Sequence, residues 1–394
     1  MGVKQAIRQK KQLGQFLTRN SDYILRDLDK YIKGKEVVDP FAGEGDLMDW
    51  AKRNKAKKVI GYDVDDKYVN GKDIFSNDSL LNPLEYKFVL TNPPYLNINK
   101  ANKKTKDKYF SKSKFEDLYQ ISLFSILNSE EGIVIVPINF LSARNSKKIK
   151  NIFFDKFEIV EMNYFKHQVF PDTTNNVIAF YYKKKKNPLS DRFSIKTHIY
   201  PGNKIFDIEL KRNSFWNIHG DFLDIIKKQK NNLGISRLVE RDVCRKRGQV
   251  EIPAAYNHIE SIKRVKVSED LYNAIKSNII LLKAIDSGTD SGKISLEDIR
   301  KYGVKCLVSK ESSRHMIYLI FKEKISITEQ KRIINIFNQE LNRMRDKYLS
   351  LFLTNYRDND RKRISFDFVY KFINYIYFNK VNPENNQKLL FQTK

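Results

Sequence analysis

Glu36-Val37-Val38-Asp39-Pro40-Phe41-Ala42-Gly43-Glu44-Gly45-Asp46-Leu47 is the stretch on which the fold turns. Residues 36–39 read as a short strand that breaks at Pro40, and residues 47–53 continue as a helix. Gly43 and Gly45 let the intervening backbone turn tightly and approach a ligand with no Cβ in the way. An open α/β sheet places its ligands at the carboxyl ends of its strands, and Asp39 stands at such an end. The spacing is not GxGxxG, and a carboxylate at the strand tip repels phosphate. It suits a cationic group, such as the ammonium of S-adenosylmethionine; an ordinary glycine-containing strand–helix turn is the other reading.

Working outward, the strand–helix alternation continues. Residues 58–63 (KVIGYD) and 87–91 (KFVLT) read as strands, 116–127 as an amphipathic helix, and 132–137 (GIVIVP) as a fully apolar buried strand. Residues 159–165 and 176–182 read as two more. Apolar strands alternating with helices imply a mostly parallel α/β sheet covered on both faces. The basic, proline-ended run Lys183-Lys184-Lys185-Lys186-Asn187-Pro188 reads as a hinge, which puts a boundary near 185–195. Beyond it lie mixed strands and helices, including a long striped helix over 328–351 and an aromatic-rich final helix over 365–378 whose rings read as core.

Three further motifs follow the first. Asp63, in Gly61-Tyr62-Asp63-Val64-Asp65, ends the next strand at the spacing of an acid that takes ribose hydroxyls. In Lys72-Asp73-Ile74-Phe75, Asp73 can accept from an adenine amine while Ile74 packs on the ring, although a simple turn aspartate also fits. The sharpest is Thr91-Asn92-Pro93-Pro94-Tyr95, directly after an apolar strand. Two prolines remove two amide donors and fix the backbone. The Asn92 side-chain carbonyl and the Pro93 carbonyl can then accept from one planar amine, freeing its lone pair, while Tyr95 offers a flat face for stacking.

Composition narrows the partners. The 394 residues carry 73 Lys and Arg against 47 Asp and Glu, a net charge of +26, which points to nucleic acid. Arginines cluster in 241–247 and 357–363, and Arg241, Arg245, Arg247, Arg361 and Arg363 are the candidates for DNA contact. Two cysteines exclude a disulfide scaffold, and five scattered histidines lack metal-ligand spacing, so no metal is expected. No apolar run reaches membrane-spanning length, and the N-terminal residues lack a signal-peptide core, so a cytoplasmic protein without membrane partners is expected.

DPFAGEG, YDVD, KDIF and TNPPY in this order, preceded by Gly14-Gln15-Phe16-Leu17-Thr18, resemble the γ-class N6-adenine DNA methyltransferases of type II restriction–modification systems. The resemblance runs over about residues 9–183. It implies a Rossmann-like methyltransferase sheet with helices on both faces as a catalytic domain over 1–185, and a C-terminal mixed α+β target-recognition domain over 190–394. It implies S-adenosylmethionine as cofactor, double-stranded DNA as substrate, a monomeric enzyme, and a cognate restriction endonuclease acting on the same site. Carried over by position, Phe16, Thr18, Asp39 and Gly43 line the methionine pocket, Asp63 and Val64 hold ribose and adenine, and Asp73 and Ile74 hold the adenine ring. Asn92, Pro93, Pro94 and Tyr95 form the catalytic loop, Tyr95 and Phe170 enclose a flipped target base, and Ser122 or Phe124 adds a further cofactor contact. Glu44 departs from the small residue usual in the family's loop. The same Asn-Pro-Pro-Tyr chemistry also serves protein glutamine N5-methyltransferases, and cytosine-N4 enzymes are related, though these usually carry Ser where Asn92 stands.

Overall fold

The computed structural model describes residues 14, 18–170, 176–218, 220–245, 248–286, 293–348, 356–357 and 361–384. Two compact units divide the chain. The first holds residues 1–220 with 357–360, and the second holds 221–356 with 361–394.

The first unit is built on one nine-stranded sheet in the order β3-β2-β1-β4-β5-β7-β6-β8-β9. Its strands are β1 (Glu36–Asp39), β2 (Lys58–Asp63), β3 (Ile74–Ser76), β4 (Tyr86–Thr91), β5 (Ser129–Pro137), β6 (Phe157–Phe165), β7 (Val177–Lys184), β8 (Arg192–Tyr200) and β9 (Lys204–Lys211). β1 pairs in parallel with β2 and β4, β2 with β3, and β4 with β5. β7 runs antiparallel to both β5 and β6, so β6 again points the way β5 does. This is a Rossmann-like sheet, with the switch in strand order between β1 and β4, where ligands collect. Both faces are covered, as the run of apolar residues in β5 requires. On β7, Val177, Ala179 and Tyr181 face a core shared with Ile24, Leu28, Ile32, Leu47 and Trp50. The alternate residues Phe180 and Tyr182 meet Phe153 of the helix Lys147–Lys156 on the other side.

The unit does not end near 185. Lys183 and Lys184 are the last residues of β7, and Lys185 is buried, with its ammonium over Trp216 and donating to the Ser190 carbonyl. β8 then extends the sheet by pairing in parallel with β6, and β9 pairs with β8, so the boundary falls at Gly220. The basic run that reads as a hinge is a strand end and a turn.

The second unit has a four-stranded antiparallel sheet formed, in spatial order, by Ser236–Arg237, Met316–Ile320, Ile280–Lys283 and Ser295–Asp298. It packs with the helices Ile327–Tyr348 and Phe366–Ile376 through Ile333, Phe337, Leu341, Phe368, Val369 and Phe372. The aromatic stripe is thus core. A three-stranded sheet of Val250–Tyr256, His258–Val267 and Leu307–Val308 has its own apolar cluster around Ala254, Leu271 and Tyr318. Among the described residues, no helix is long and apolar enough to cross a membrane.

Candidate active site

An open cleft lies at the carboxyl ends of β1, β2, β3 and β4. The β1 tip enters it as Asp39, and the following loop supplies Pro40, Phe41, Ala42, Gly43 and Glu44. Gly43 and Gly45 both take positive φ, 53° and 85°, and Gly45 stands at the N-cap of the helix Asp46–Arg53, so the turn uses its glycines as the sequence implies. β2 contributes Asp63 and Val64, and the segment after β3 contributes Asn77, Asp78, Ser79 and Leu80. Thr18, Asn92, Pro94, Tyr109 and Leu118 complete much of the remaining wall.

The cleft is acidic in a strongly basic protein. Asp39, Glu44, Asp46, Asp63 and Asp78 line it, and no Lys, Arg or His does among the described residues. Asp39 is buried; its Oδ1 accepts from the Phe41 amide at 3.0 Å and the Thr91 hydroxyl at 2.8 Å, and among the described residues its Oδ2 has no partner. Desolvation pushes its carboxyl up to about 7, against the pull of those two hydrogen bonds. Asp63 is also raised, again by burial first. Its two oxygens accept from the Gly43 and Asp65 amides, each at 2.8 Å, so the carboxylate at the end of β2 also fastens the glycine loop.

The Asn92-Pro93-Pro94-Tyr95 loop is pinned from two sides. Asn92 is buried, its Nδ2 donates to the Thr18 hydroxyl at 3.0 Å, and the Tyr95 amide donates to the Gly14 carbonyl at 2.9 Å. The Tyr95 ring turns inward, and its hydroxyl faces two acceptors, Asn92 Oδ1 and the Ile135 carbonyl. Burial holds that hydroxyl far above the ordinary tyrosine range, so it stays protonated and acts as a donor, not a base. Gly14 has φ +66°, and a Cβ there would lie 2.8 Å from the Tyr95 nitrogen. Gly14→Ala should therefore displace the Asn92-Pro93-Pro94-Tyr95 loop while leaving the sheet intact. The expected result is a fall in turnover of tenfold or more, roughly 1.4 kcal/mol of barrier, with a near-native melting temperature in calorimetry.

The other expected site residues divide. Thr18, Asp39, Gly43, Asp63, Val64, Asn92 and Pro94 line the cleft; Pro93 and Tyr95 stand buried in the loop behind it. Phe16 lies outside the described residues. Asp73 does not reach the cleft. It sits before β3 and pairs with Lys52 at 2.7 Å and with Asn70 at 2.8 Å; the Lys52 ammonium holds its carboxyl below the usual range. Ile74 packs under the glycine loop against Ala42 and Met48. The reason is register: β3 begins at Ile74, paired with Gly61, so its carboxyl end delivers Asn77 to Leu80, not Asp73. Phe170 is 2% exposed, belongs to the core with Val169 and Phe165, and does not line the cleft. The helix Leu118–Ser125 offers Leu118 to the cleft, where Ser122 or Phe124 was expected; the Ser122 hydroxyl bonds back to the Leu118 carbonyl and Phe124 is exposed. Arg241 and Arg245 are exposed on the helix Glu240–Arg245, and Arg363 is half-buried in a strand paired with Ile285. Arg247 and the Arg361 side chain lie outside the described residues. Tyr68, Asn77, Asp78, Ser79, Leu80 and Tyr109 are the wall residues that the sequence reading missed.

Residues 11–170 match the Eco57I restriction-modification methylase family, a span of less than half the 394 residues that contains the whole cleft. The cleft-bearing segment is thus similar to methylase domains of the restriction–modification type. No curated protein matches the chain. Among solved structures, the chain is similar to the M protein of the type I restriction enzyme EcoKI, at 16% identity over 47% of this chain and 48% of that one, with a TM-score of 0.38. It is also similar to a type I methyltransferase subunit from Streptococcus thermophilus (16% identity, 47% of each chain, TM-score 0.33). A third is the type IIG restriction endonuclease BpuSI (12% identity, 55% of this chain and 34% of that one, TM-score 0.37). The chain covers about half the length of the first of these.

Proposed function

We propose that the protein is a site-specific DNA methyltransferase that moves a methyl group from S-adenosylmethionine to the N6 amine of an adenine flipped out of duplex DNA, and that it guards DNA against a cognate restriction endonuclease. The observation that carries this is one cleft with five acids and no lining base among the described residues, bordered by Asn92 and Pro94 of an Asn-Pro-Pro-Tyr loop. Acids repel a polyphosphate and welcome a ligand bearing an ammonium and a sulfonium. When bound, that cofactor supplies a methyl group made electrophilic by its positive sulfur.

The residues present fit it. Asp39 Oδ2 is available to a cationic ammonium. Asp63 stands at the end of β2 to take ribose hydroxyls, and Asp78, Ser79 and Leu80 replace Asp73 and Ile74 as the polar and apolar partners of an adenine ring. The Asn92 side-chain carbonyl and the Pro93 carbonyl accept from the target amine, which makes its nitrogen more tetrahedral and its lone pair more nucleophilic. Tyr95 and its neighbours exclude water, and its hydroxyl keeps the Asn92 carbonyl in place. The second unit, with exposed Arg241 and Arg245, supplies target recognition. Such a base must leave the stack to be reached.

Sequencing of methylated bases in DNA from cells that express the protein tests the reading directly. N6-methyladenine at one recurrent sequence is expected; methylcytosine, or no modified base, overturns it. Asp63→Ala should weaken S-adenosylhomocysteine by about 10- to 100-fold, from loss of hydrogen bonds to a charged acceptor. Titration calorimetry reads it, and an unchanged dissociation constant would make Asp63 a fastener of the glycine loop only.

A further inference from the structure

Residues 100–114, Lys-Ala-Asn-Lys-Lys-Thr-Lys-Asp-Lys-Tyr-Phe-Ser-Lys-Ser-Lys, carry seven lysines and one acid. They form most of an excursion that leaves the catalytic loop at Leu96 and returns at Leu118. Its two ends are stapled together. The Ile98 amide donates to the Glu116 carbonyl at 2.8 Å, and the Leu118 amide donates to the Leu96 carbonyl at 3.0 Å. The excursion is thus closed at its base by backbone hydrogen bonds.

The excursion has two faces. Asn102 caps a short helical turn, its side chain accepting from the Thr105 amide at 2.9 Å, and a π turn follows over Lys106–Phe110. The Ser111 amide closes that turn on the Lys106 carbonyl. The wide turn brings consecutive Tyr109 and Phe110 inward together, onto Leu80, Leu96, Ala101, Leu118 and Ile121. Lys103, Lys104, Lys112 and Lys114 are exposed on the outside. On the inside, Tyr109 is a wall of the cofactor cleft. Its hydroxyl donates to Asp78 Oδ2 at 3.0 Å, and the Lys108 ammonium meets the same oxygen at 2.8 Å. One segment therefore presents cations outward and closes the cleft inward, directly beside the loop that would meet the target base.

We infer that the 96–118 excursion is a DNA-phosphate clamp whose inner face is part of the cofactor pocket, so that cofactor and DNA bind with positive coupling. The inference rests on the methyltransferase reading. A cofactor that contacts Asp78 and Tyr109 orders the segment, and DNA phosphates on Lys103, Lys104 and Lys112 order the same segment from outside. Whichever ligand binds first lowers the ordering cost for the second, and linkage makes the effect reciprocal. A merely solvated lysine face would give neither a phosphate count nor coupling.

The test uses the full chain, a short DNA duplex of arbitrary sequence, and S-adenosylhomocysteine, with anisotropy read across a salt series. In the wild type the cofactor product should tighten DNA about fivefold or more. The triple variant Lys103→Gln, Lys104→Gln, Lys112→Gln should make the slope of log affinity against log salt shallower by about 2 to 3. Its dissociation constant for S-adenosylhomocysteine without DNA should stay at the wild-type value, which also shows that it folds. Tyr109→Phe keeps every lysine and removes the Asp78 bond; the tightening of DNA by the product should collapse toward none. An unchanged salt slope in the triple variant overturns the clamp. A shallower slope with full product-induced tightening in Tyr109→Phe overturns the coupling. If the wild type binds neither duplex nor S-adenosylhomocysteine, the methyltransferase reading itself falls.

Discussion

Asn92→Ala is expected to lower methyl transfer by roughly 10²- to 10³-fold, the loss seen when one preorganised polar group aimed at the reacting atom is removed, and to leave cofactor affinity within a few-fold of wild type. The Asn92 amide stands at the border of the cleft and is held by Thr18 and Tyr95, so the variant removes an acceptor for the target amine without touching Asp39, Asp63 or Asp78. Single-turnover kinetics with saturating cofactor separate the step from binding. A proportionate loss of S-adenosylhomocysteine affinity would instead make Asn92 part of the cofactor wall. Asn92→Asp is the sharper companion, because it keeps the acceptor oxygen and removes the amide that donates to Thr18. Partial recovery of turnover would assign the function to the carbonyl.

The Asn92-Pro93-Pro94-Tyr95 loop at the cleft was legible because two prolines restrict its backbone. Only proline removes the two amides after Asn92, and a strand ending on that pair leaves few other interpretations. The glycine loop was legible for the same reason, as was Asp63, whose strand ends where the run KVIGYD ends. Asp78 was not legible because β3 is three residues long, too short for periodicity, and the preceding Asp73 drew the assignment. Only the register with β2, Gly61 against Ile74, shows which aspartate stands at the strand's carboxyl end. Tyr109 was hidden by a π turn, which breaks the helical spacing from which an inward residue is inferred. The domain boundary was misplaced for a different reason. Residues 192–200 alternate exposed and buried at first, as a strand should, but their partner is β6 rather than the adjacent β7, a crossover that no local pattern announces. Phe170 illustrates the limit of carrying a role over by motif: the aromatic is present at the matching position, and here it is core.

Cofactor affinity should strengthen as pH rises through about 7 and level off above it, because Asp39 must be ionised to hold a cation. In the free protein its carboxyl is raised to about 7 by desolvation, with the nearby Asp63 charge adding to the rise. Below that pH a cationic ligand has to displace a proton, and the observed dissociation constant grows by up to about tenfold for each pH unit. Asp39→Asn should bind more weakly at neutral pH and lose this dependence. The same group fixes a stability slope with a definite sign. Its folded pKa stands above the ordinary value of 3.8, so the folded state holds a proton that the unfolded chain has released. The resulting stabilisation is complete below the unfolded value and is lost as pH rises through the folded one. The melting temperature of the ligand-free protein should therefore decline relative to Asp39→Asn as pH rises from about 4 to about 7, the opposite of its cofactor affinity. The two slopes have one origin. Burying Asp39 with one oxygen fully bonded and the other facing the cleft destabilises the empty protein, and a cationic ligand relieves that cost when it binds. If affinity and stability both stay flat across neutral pH in the wild type, Asp39 is ionised throughout, and the acidic end of the cleft does not hold the ligand's cation in the way the geometry implies.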